Sequence, residues 1–288
     1  MNGSIVWLAS YPKSGNTWLR IFLTNYLRDA DSPADINDLD GEPLASARPP
    51  LDEALGYDSA ELTHDEIDRL RPELYSYMAS RSRQPLFCKV HDAYTLLPDG
   101  RPLFPAQATR AVLYLVRNPL DVCVSFSYHS GHQDHCRSSE RMANEQHCFC
   151  DSTRRQEYQL RQRLLSWSSH VRSWIGAAGA RTLVLRYEDM QMDTQRTFGA
   201  AVRFAGLEFC EQRLRKAIDF SSFTELRRQE QEHGFREKAP CADAFFRQGH
   251  VGSWRQVLAE DTVQRLITDH AGMMRRFGYL DAHGAPVF

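Results

Sequence analysis

The stretch Tyr11-Pro12-Lys13-Ser14-Gly15-Asn16-Thr17-Trp18 puts an amine, small hydroxyls and a glycine into one short loop. An apolar run, residues 5–9, precedes it, and a segment with an apolar face, residues 18–27, follows. Read as strand, loop and helix, this order gathers unpaired N–H groups and the positive end of a helix dipole at one spot, which suits a phosphate. Gly15 lets the backbone approach an anion closely. Lys13 supplies a mobile positive charge, and Ser14 and Thr17 supply hydroxyl donors. The plainer alternative is an ordinary turn that carries a lysine by chance. The loop is not a Walker A motif, because Lys13 precedes the loop's only glycine instead of following a second one. A kinase or ATPase is disfavoured on that ground.

Three further segments carry chemistry. The apolar run 111–116 leads into Arg117-Asn118-Pro119, so Arg117 stands at the C-terminal end of a strand, where α/β folds hold ligands. Pro119 fits a helix start, and Ser125 lies on that helix. An arginine grips a phosphate through two parallel N–H bonds, with a hydroxyl beside it. Near the C-terminus, Phe246-Arg247-Gln248-Gly249-His250-Val251-Gly252 combines an arginine with two glycines, the makings of an anion-binding loop. Cys88-Lys89-Val90-His91-Asp92 ends another strand and carries one of the chain's 11 histidines. Any single histidine after a strand is more often solvated or buried than catalytic.

These groups need a frame to hold them. Strands are expected at 5–9, 86–90, 111–116 and 182–186. Helices are expected at 63–80, 120–128, 161–175, 194–205, 211–218 and 261–276. Thr63 and Glu66 form a capping box for the first of these helices. Residues 31–56 and 130–155 read as irregular connections. Short strands alternating with helices predict an α/β fold with a mostly parallel central β-sheet flanked by helices, organised as a single domain over 1–288. Lys plus Arg total 35 against 37 Asp plus Glu, a net charge of -2, which argues against a dedicated nucleic-acid binder. No apolar run is long enough to span a membrane, and the first residues lack the basic start of a secretory signal. A cytoplasmic protein is expected, with its 7 cysteines as thiols instead of a disulfide framework.

Pro12-Lys13-Ser14-Gly15-Asn16-Thr17-Trp18 resembles the 5′-phosphosulfate loop of the cytosolic-type sulfotransferases, which use 3′-phosphoadenosine 5′-phosphosulfate (PAPS). The likeness runs in order along nearly the whole chain. Arg117-Asn118-Pro119-Leu120-Asp121 with Ser125 is similar to the family's 3′-phosphate segment, and Arg247-Gln248-Gly249 to its nucleotide-covering segment. There Gln248 replaces the usual lysine, which removes one charge near the 3′-phosphate. The resemblance implies a P-loop NTPase-like fold. It implies cofactor contacts from Lys13, Ser14, Gly15, Asn16, Thr17, Trp18, Arg117, Ser125, Tyr187, Ser221, Phe223, Arg247, Gln248 and Gly249. Of these, Trp18 would stack on adenine, and Tyr187 and Phe223 would touch it. The same resemblance gives His91 as general base, Lys89 as an active-site cation and Lys13 as the group that stabilises the leaving phosphate. Ser125 would engage Lys13 and restrain wasteful hydrolysis. The product would be 3′-phosphoadenosine 5′-phosphate (PAP), with no metal required.

His129, His132, His135, Cys136, His147, Cys148 and Cys150 lie close together in sequence and have side chains that ligate zinc, but their spacing matches no standard zinc motif. A loop bordering the acceptor pocket is the stronger expectation. The implied acceptor is a small molecule with a phenol or alcohol. The compact length resembles bacterial members. The family's C-terminal dimerisation pattern is not intact around Arg255 to Leu266, which leaves the oligomeric state open. The rival functions are a P-loop nucleotide kinase, which needs the missing Walker lysine, and a non-catalytic nucleotide-binding module.

Overall fold

Every residue of β1 (Ile5–Ser10) is buried, as befits a central strand covered on both faces. The computed structural model describes residues 3–40, 44–132, 134–177, 179–247 and 249–288. In chain order β1 is followed by α1 (Asn16–Arg28), α2 (Arg48–Leu55), α3 (His64–Arg81), β2 (Leu86–Val90), β3 (Thr109–Val116), α4 (Pro119–His129) and α5 (His135–Ala143). Then come β4 (Cys148–Phe149), β5 (Gln162–Arg163), α6 (Trp167–Ile175), β6 (Thr182–Arg186), α7 (Tyr187–Met192), α8 (Thr194–Phe204), α9 (Glu211–Phe220), α10 (Phe223–His233) and α11 (Glu260–Arg276). The fold is α/β, with a central sheet of strand order β2-β1-β3-β6 and helices around it. The strands β1 and β2 run parallel, Ile5 opposite Leu86 and Ala9 opposite Val90. This register brings Ser10 and His91 side by side as the two strands end.

Two compact units alternate along the chain. One comprises Met1–Tyr11, Gly41–Tyr114 and Asn144–Val184. Its core is aromatic. Trp7 meets Tyr75 and Phe104 edge-on, each at 5.0 Å between ring centres, and its indole N–H donates to Thr109 Oγ1 at 2.9 Å. The helix α3 in this unit starts at the capping box expected from the sequence. Thr63 Oγ1 accepts from Glu66 N, and Glu66 Oε2 accepts from Thr63 N at 2.8 Å. Such a cap stabilises by about 1 kcal/mol.

The other unit comprises Pro12–Asp40, Leu115–Ala143 and Leu185–Phe288. Within it Phe22 on α1 packs on Phe198 of α8 at 4.2 Å. A cluster of Ile21, Ile36, Leu226, Phe235 and Phe246 takes in Trp18, Phe223 and Phe245 at its edge.

The structure corrects the element assignments. Residues 31–56 contain α2, because Pro49 and Pro50 sit in the first turn of a helix, where a missing N–H costs nothing. Residues 130–155 contain α5 and β4. The segment 161–175 is helical only from Trp167, where Ser166 Oγ caps by accepting from Ser169 N at 3.1 Å, and Gln162–Arg163 pairs instead with β4. The helices α7 and α10 were not expected at all. Among the described residues no helix is long and apolar enough to cross a membrane.

Candidate active site

The phosphate-type loop has the shape its glycine predicts. Gly15 ends the loop at φ 98° and serves as N-cap of α1. A Cβ at this position would lie 2.7 Å from Cδ2 of Tyr187, so both the backbone angle and the space demand glycine. Lys13 also has a positive φ, 70°. Ser14 is buried, and its Oγ has no hydrogen-bond partner among the described residues. Such a group costs stability unless something binds it. The Lys13 ammonium lies 4.4 Å over the ring of Phe245, a cation–π contact. Thr17 Oγ1 donates to Glu237 at 3.5 Å, and Glu237 also pairs with the buried Arg20 at 2.5 Å.

Arg117 leaves β3 and reaches back over this loop. It donates from Nη1 to the Lys13 carbonyl at 3.2 Å and from Nη2 to the His250 carbonyl at 3.2 Å. Its guanidinium lies 4.2 Å over the Tyr187 ring, and its buried Nε is unpartnered among the described residues. Tyr187 donates its hydroxyl to the Gly249 carbonyl at 3.2 Å. A Cβ on Gly249 would meet Phe223 at 2.8 Å. Trp18 donates its indole N–H to the Ser221 carbonyl at 2.9 Å and meets the edge of Tyr187. The Ser221 hydroxyl is fully buried and donates to the Ala217 carbonyl at 2.7 Å, so this residue meets Trp18 through its backbone. Arg247 lies over the Tyr128 ring at 3.9 Å. Ser125 is half-buried on α4, while Gln248 lies outside the described residues. The loop 13–18, Arg117, Tyr187, Phe223 and Gly249 are thus gathered within one unit.

Carboxylates hold this cradle in place, and sequence reading assigned them no role. Asp121 accepts from Gly252 N at 2.7 Å, Ser253 Oγ at 2.9 Å and Trp254 N at 3.1 Å, which fastens the C-terminal loop to the start of α4. Glu188 accepts from Asn118 N and from the Tyr279 hydroxyl, each at 2.9 Å, and burial raises its carboxyl above the usual range. Glu230 accepts from Phe245 N at 2.7 Å and Phe246 N at 2.9 Å. The sequence signal was available for Asp121 alone, as an acid in the first turn after Pro119.

His91 and Lys89 belong to the other unit. Lys89 is half-buried on β2, and its carbonyl accepts from Ala45 N at 2.8 Å. Half-buried His91 has its Nδ1 2.9 Å from the Ser10 carbonyl. A carbonyl can only accept, so Nδ1 carries the proton and Nε2 becomes the basic nitrogen. The adjoining Asp92 is not the partner of this imidazole. Both its oxygens accept from Arg71, at 2.9 and 2.8 Å. His170 donates from Nε2 to the His91 carbonyl at 3.0 Å and accepts at Nδ1 from the Tyr114 hydroxyl at 2.9 Å. Full burial lowers the His170 pKa to about 4, so it is neutral at pH 7.

The His/Cys-rich stretch is divided between α5, β4 and their flanks. Among the described residues no three His, Cys, Asp or Glu side chains gather as a metal site. Burial pushes the Cys150 thiol up to about 11, which keeps it protonated at neutral pH.

A strand–loop–helix turn with Arg117 laid over it and aromatics packed edge-on beside it, in an α/β fold, is an arrangement of the kind that holds a phosphate. The chain belongs to the sulfotransferase family: residues 4–277 match its sulfotransferase domain. It is 26% identical over 254 residues to sulfotransferase 2A1 of Rattus norvegicus, covering 86% of this chain and 76% of that protein. It is 23% identical over 273 residues to luciferin sulfotransferase of Photinus pyralis, covering 89% and 68%. Among solved structures, a mouse sulfotransferase complexed with PAP aligns with a TM-score of 0.59 at 19% identity, over 98% of this chain and 87% of that one. Retinol dehydratase in complex with androsterone and PAP aligns at 0.58 and 17% identity, over 96% and 82%. The chain is therefore a sulfotransferase by family and shares the fold of PAP-binding members.

Proposed function

We propose that the chain, acting over 1–288 as one domain, moves a sulfuryl group from PAPS to a hydroxyl or amine of a small molecule by in-line transfer. The observation that carries this reading is the cradle of Lys13, Ser14, Gly15, Arg117, Tyr187 and Gly249. Among the described residues it retains a buried unpaired Ser14 Oγ and a buried unpaired Arg117 Nε, which an anion would satisfy. The bound donor supplies the sulfuryl group.

The loop from Lys13 to Thr17 takes the 5′-phosphosulfate, and Lys13 stabilises the charge left on the phosphate. Arg117, Ser125, Arg247, Gln248 and Gly249 take the 3′-phosphate. Trp18, Tyr187 and Phe223 take adenine, with Ser221 supporting Trp18. The indole N–H of Trp18 on the Ser221 carbonyl fixes the plane of its ring. His91 accepts the acceptor's proton at Nε2, the nitrogen left basic by the Ser10 carbonyl, and Lys89 adds positive charge beside it. None of these roles calls for a metal. The protein's work is positioning and charge stabilisation, as in phosphoryl transfer.

A phenol or alcohol acceptor agrees with the luciferin and androsterone named for the relatives. The cytoplasm is the proposed compartment. Incubation of the purified protein with PAPS and 2-naphthol, followed by mass spectrometry, tests the reaction. Naphthyl sulfate formed without added metal is the expected result. Failure across a panel of phenols and alcohols, with PAPS left intact, would sink it.

A further inference from the structure

Asp92 follows His91 directly, yet its carboxylate is committed elsewhere. Arg71 takes both oxygens in a two-pronged bond and is itself wholly buried. The same guanidinium donates from Nε to the Tyr75 hydroxyl at 3.0 Å and from Nη1 to the Arg161 carbonyl at 3.0 Å. Arg161 in turn donates to Asp68 at 2.6 Å, and Asp68 lies 3.4 Å from Arg71. Two arginines and two aspartates thus alternate across α3, the turn after β2, and the approach to β5. Two further bonds pin the same turn. Trp174 donates its indole N–H to the Asp92 carbonyl at 2.9 Å, and Ala93 N donates to the Arg163 carbonyl at 2.7 Å.

Burying two charges costs several kcal/mol per ion, and a well-packed apolar pair would hold the core about as well. What an apolar pair lacks is direction. A planar fork on a carboxylate allows one geometry, which fixes the Asp92 rotamer and the backbone that carries it. That backbone also carries His91, whose ring must keep Nδ1 on the Ser10 carbonyl for Nε2 to be basic. Through Arg161 the same fork sets the place of the β4–β5 hairpin.

We infer that Arg71 and Asp92 are positioning residues for His91: their fork holds the turn in which the imidazole keeps a single tautomer. This inference rests on the reading of His91 as the base in sulfuryl transfer. The test is the double substitution R71M/D92L, which replaces the fork with apolar side chains. Three quantities are read: PAP affinity, turnover of 2-naphthol with PAPS, and the ¹⁵N shifts of His91, identified by comparison with His91→Gln. The expected result is a folded protein with wild-type PAP affinity and an unchanged KM for PAPS. Its kcat falls about 100-fold, the scale of a base displaced by an ångström. The ¹⁵N shifts move from the Nδ1–H tautomer to an average of two forms. A merely structural role would lower yield or melting temperature and leave the tautomer alone. Should the double variant not fold, Asp92→Asn keeps the size and one acceptor, and the expected shifts are the same but smaller.

A folded variant with wild-type kcat and a single His91 tautomer overturns the inference. Wild-type protein that neither binds PAP nor forms naphthyl sulfate contradicts the sulfotransferase reading instead, and the ¹⁵N comparison still decides the positioning role.

Discussion

The Gly15 cradle and the His91 turn are both held by carboxylates, but the two regions use them to different ends. In the cradle, Asp121, Glu188 and Glu230 gather backbone N–H groups from distant segments into one rim. Within that rim Ser14 Oγ and Arg117 Nε are buried and unsatisfied among the described residues. Around His91, the carboxylate of Asp92 is met by a guanidinium whose donors reach Asp92, Tyr75 and the Arg161 carbonyl. The cradle is shaped with hydrogen bonds still to be made, as a binding site is. The His91 turn is shaped by bonds already made. On the proposed reading, binding and proton transfer rest on separate structural devices and are expected to separate under mutation.

The largest effect is expected at His91. His91→Ala should lower turnover by about 10³-fold, within the usual span for a general base, while PAP binding stays intact. Kinetics with 2-naphthol beside calorimetry with PAP reads both at once, and near-normal turnover would show that another group takes the proton.

A second test concerns stability around the turn. His170 is neutral in the fold because burial lowers its pKa to about 4, whereas the unfolded chain titrates it near 6.5. Below pH 6.5 the unfolded state takes up a proton that the folded state refuses. Stability contributed at neutral pH is therefore lost as pH falls from about 6.5 to about 4. The loss approaches about 3 kcal/mol at the lower end. Urea denaturation across this window should show a shallower slope in His170→Gln than in the wild type. Identical slopes would mean that His170 takes up its proton as readily in the fold as in the unfolded chain.

The smallest expected effect sharpens the cradle. Arg117→Ala removes a charged donor worth about 2 kcal/mol, which weakens PAP binding about 30-fold. Adenosine 5′-monophosphate, which lacks the 3′-phosphate, should lose much less. Equal losses for both nucleotides would detach Arg117 from the 3′-phosphate.

The cradle was more legible in the sequence than its supports. Lys13 to Trp18 is a local pattern in which strand, glycine and helix follow one another, so its geometry is written in consecutive residues. Arg117 likewise announces itself by its place after an apolar run. His91 carried no such mark and entered only through the family resemblance. The role of Asp121 depends on Gly252, and that of Arg71 on Asp92 and Arg161, pairings that only the folded chain creates.

The overlooked helices have a physical reason too. Along α10 only Leu226 and Gln229 are buried, and along α5 only Ser138, Ser139 and Met142, so neither displays an apolar stripe. The helix expected from residue 161 was drawn too long because its periodicity ran back past the Ser166 cap.

The cradle in the second unit is proposed to recognise a nucleotide carrying a 3′-phosphate. Calorimetric titration with PAP, adenosine 5′-monophosphate and ATP, each with and without Mg²⁺, tests it most directly. The expected result is tight PAP binding that depends on the 3′-phosphate and ignores Mg²⁺. A preference for Mg·ATP, or no binding of PAP, would contradict it.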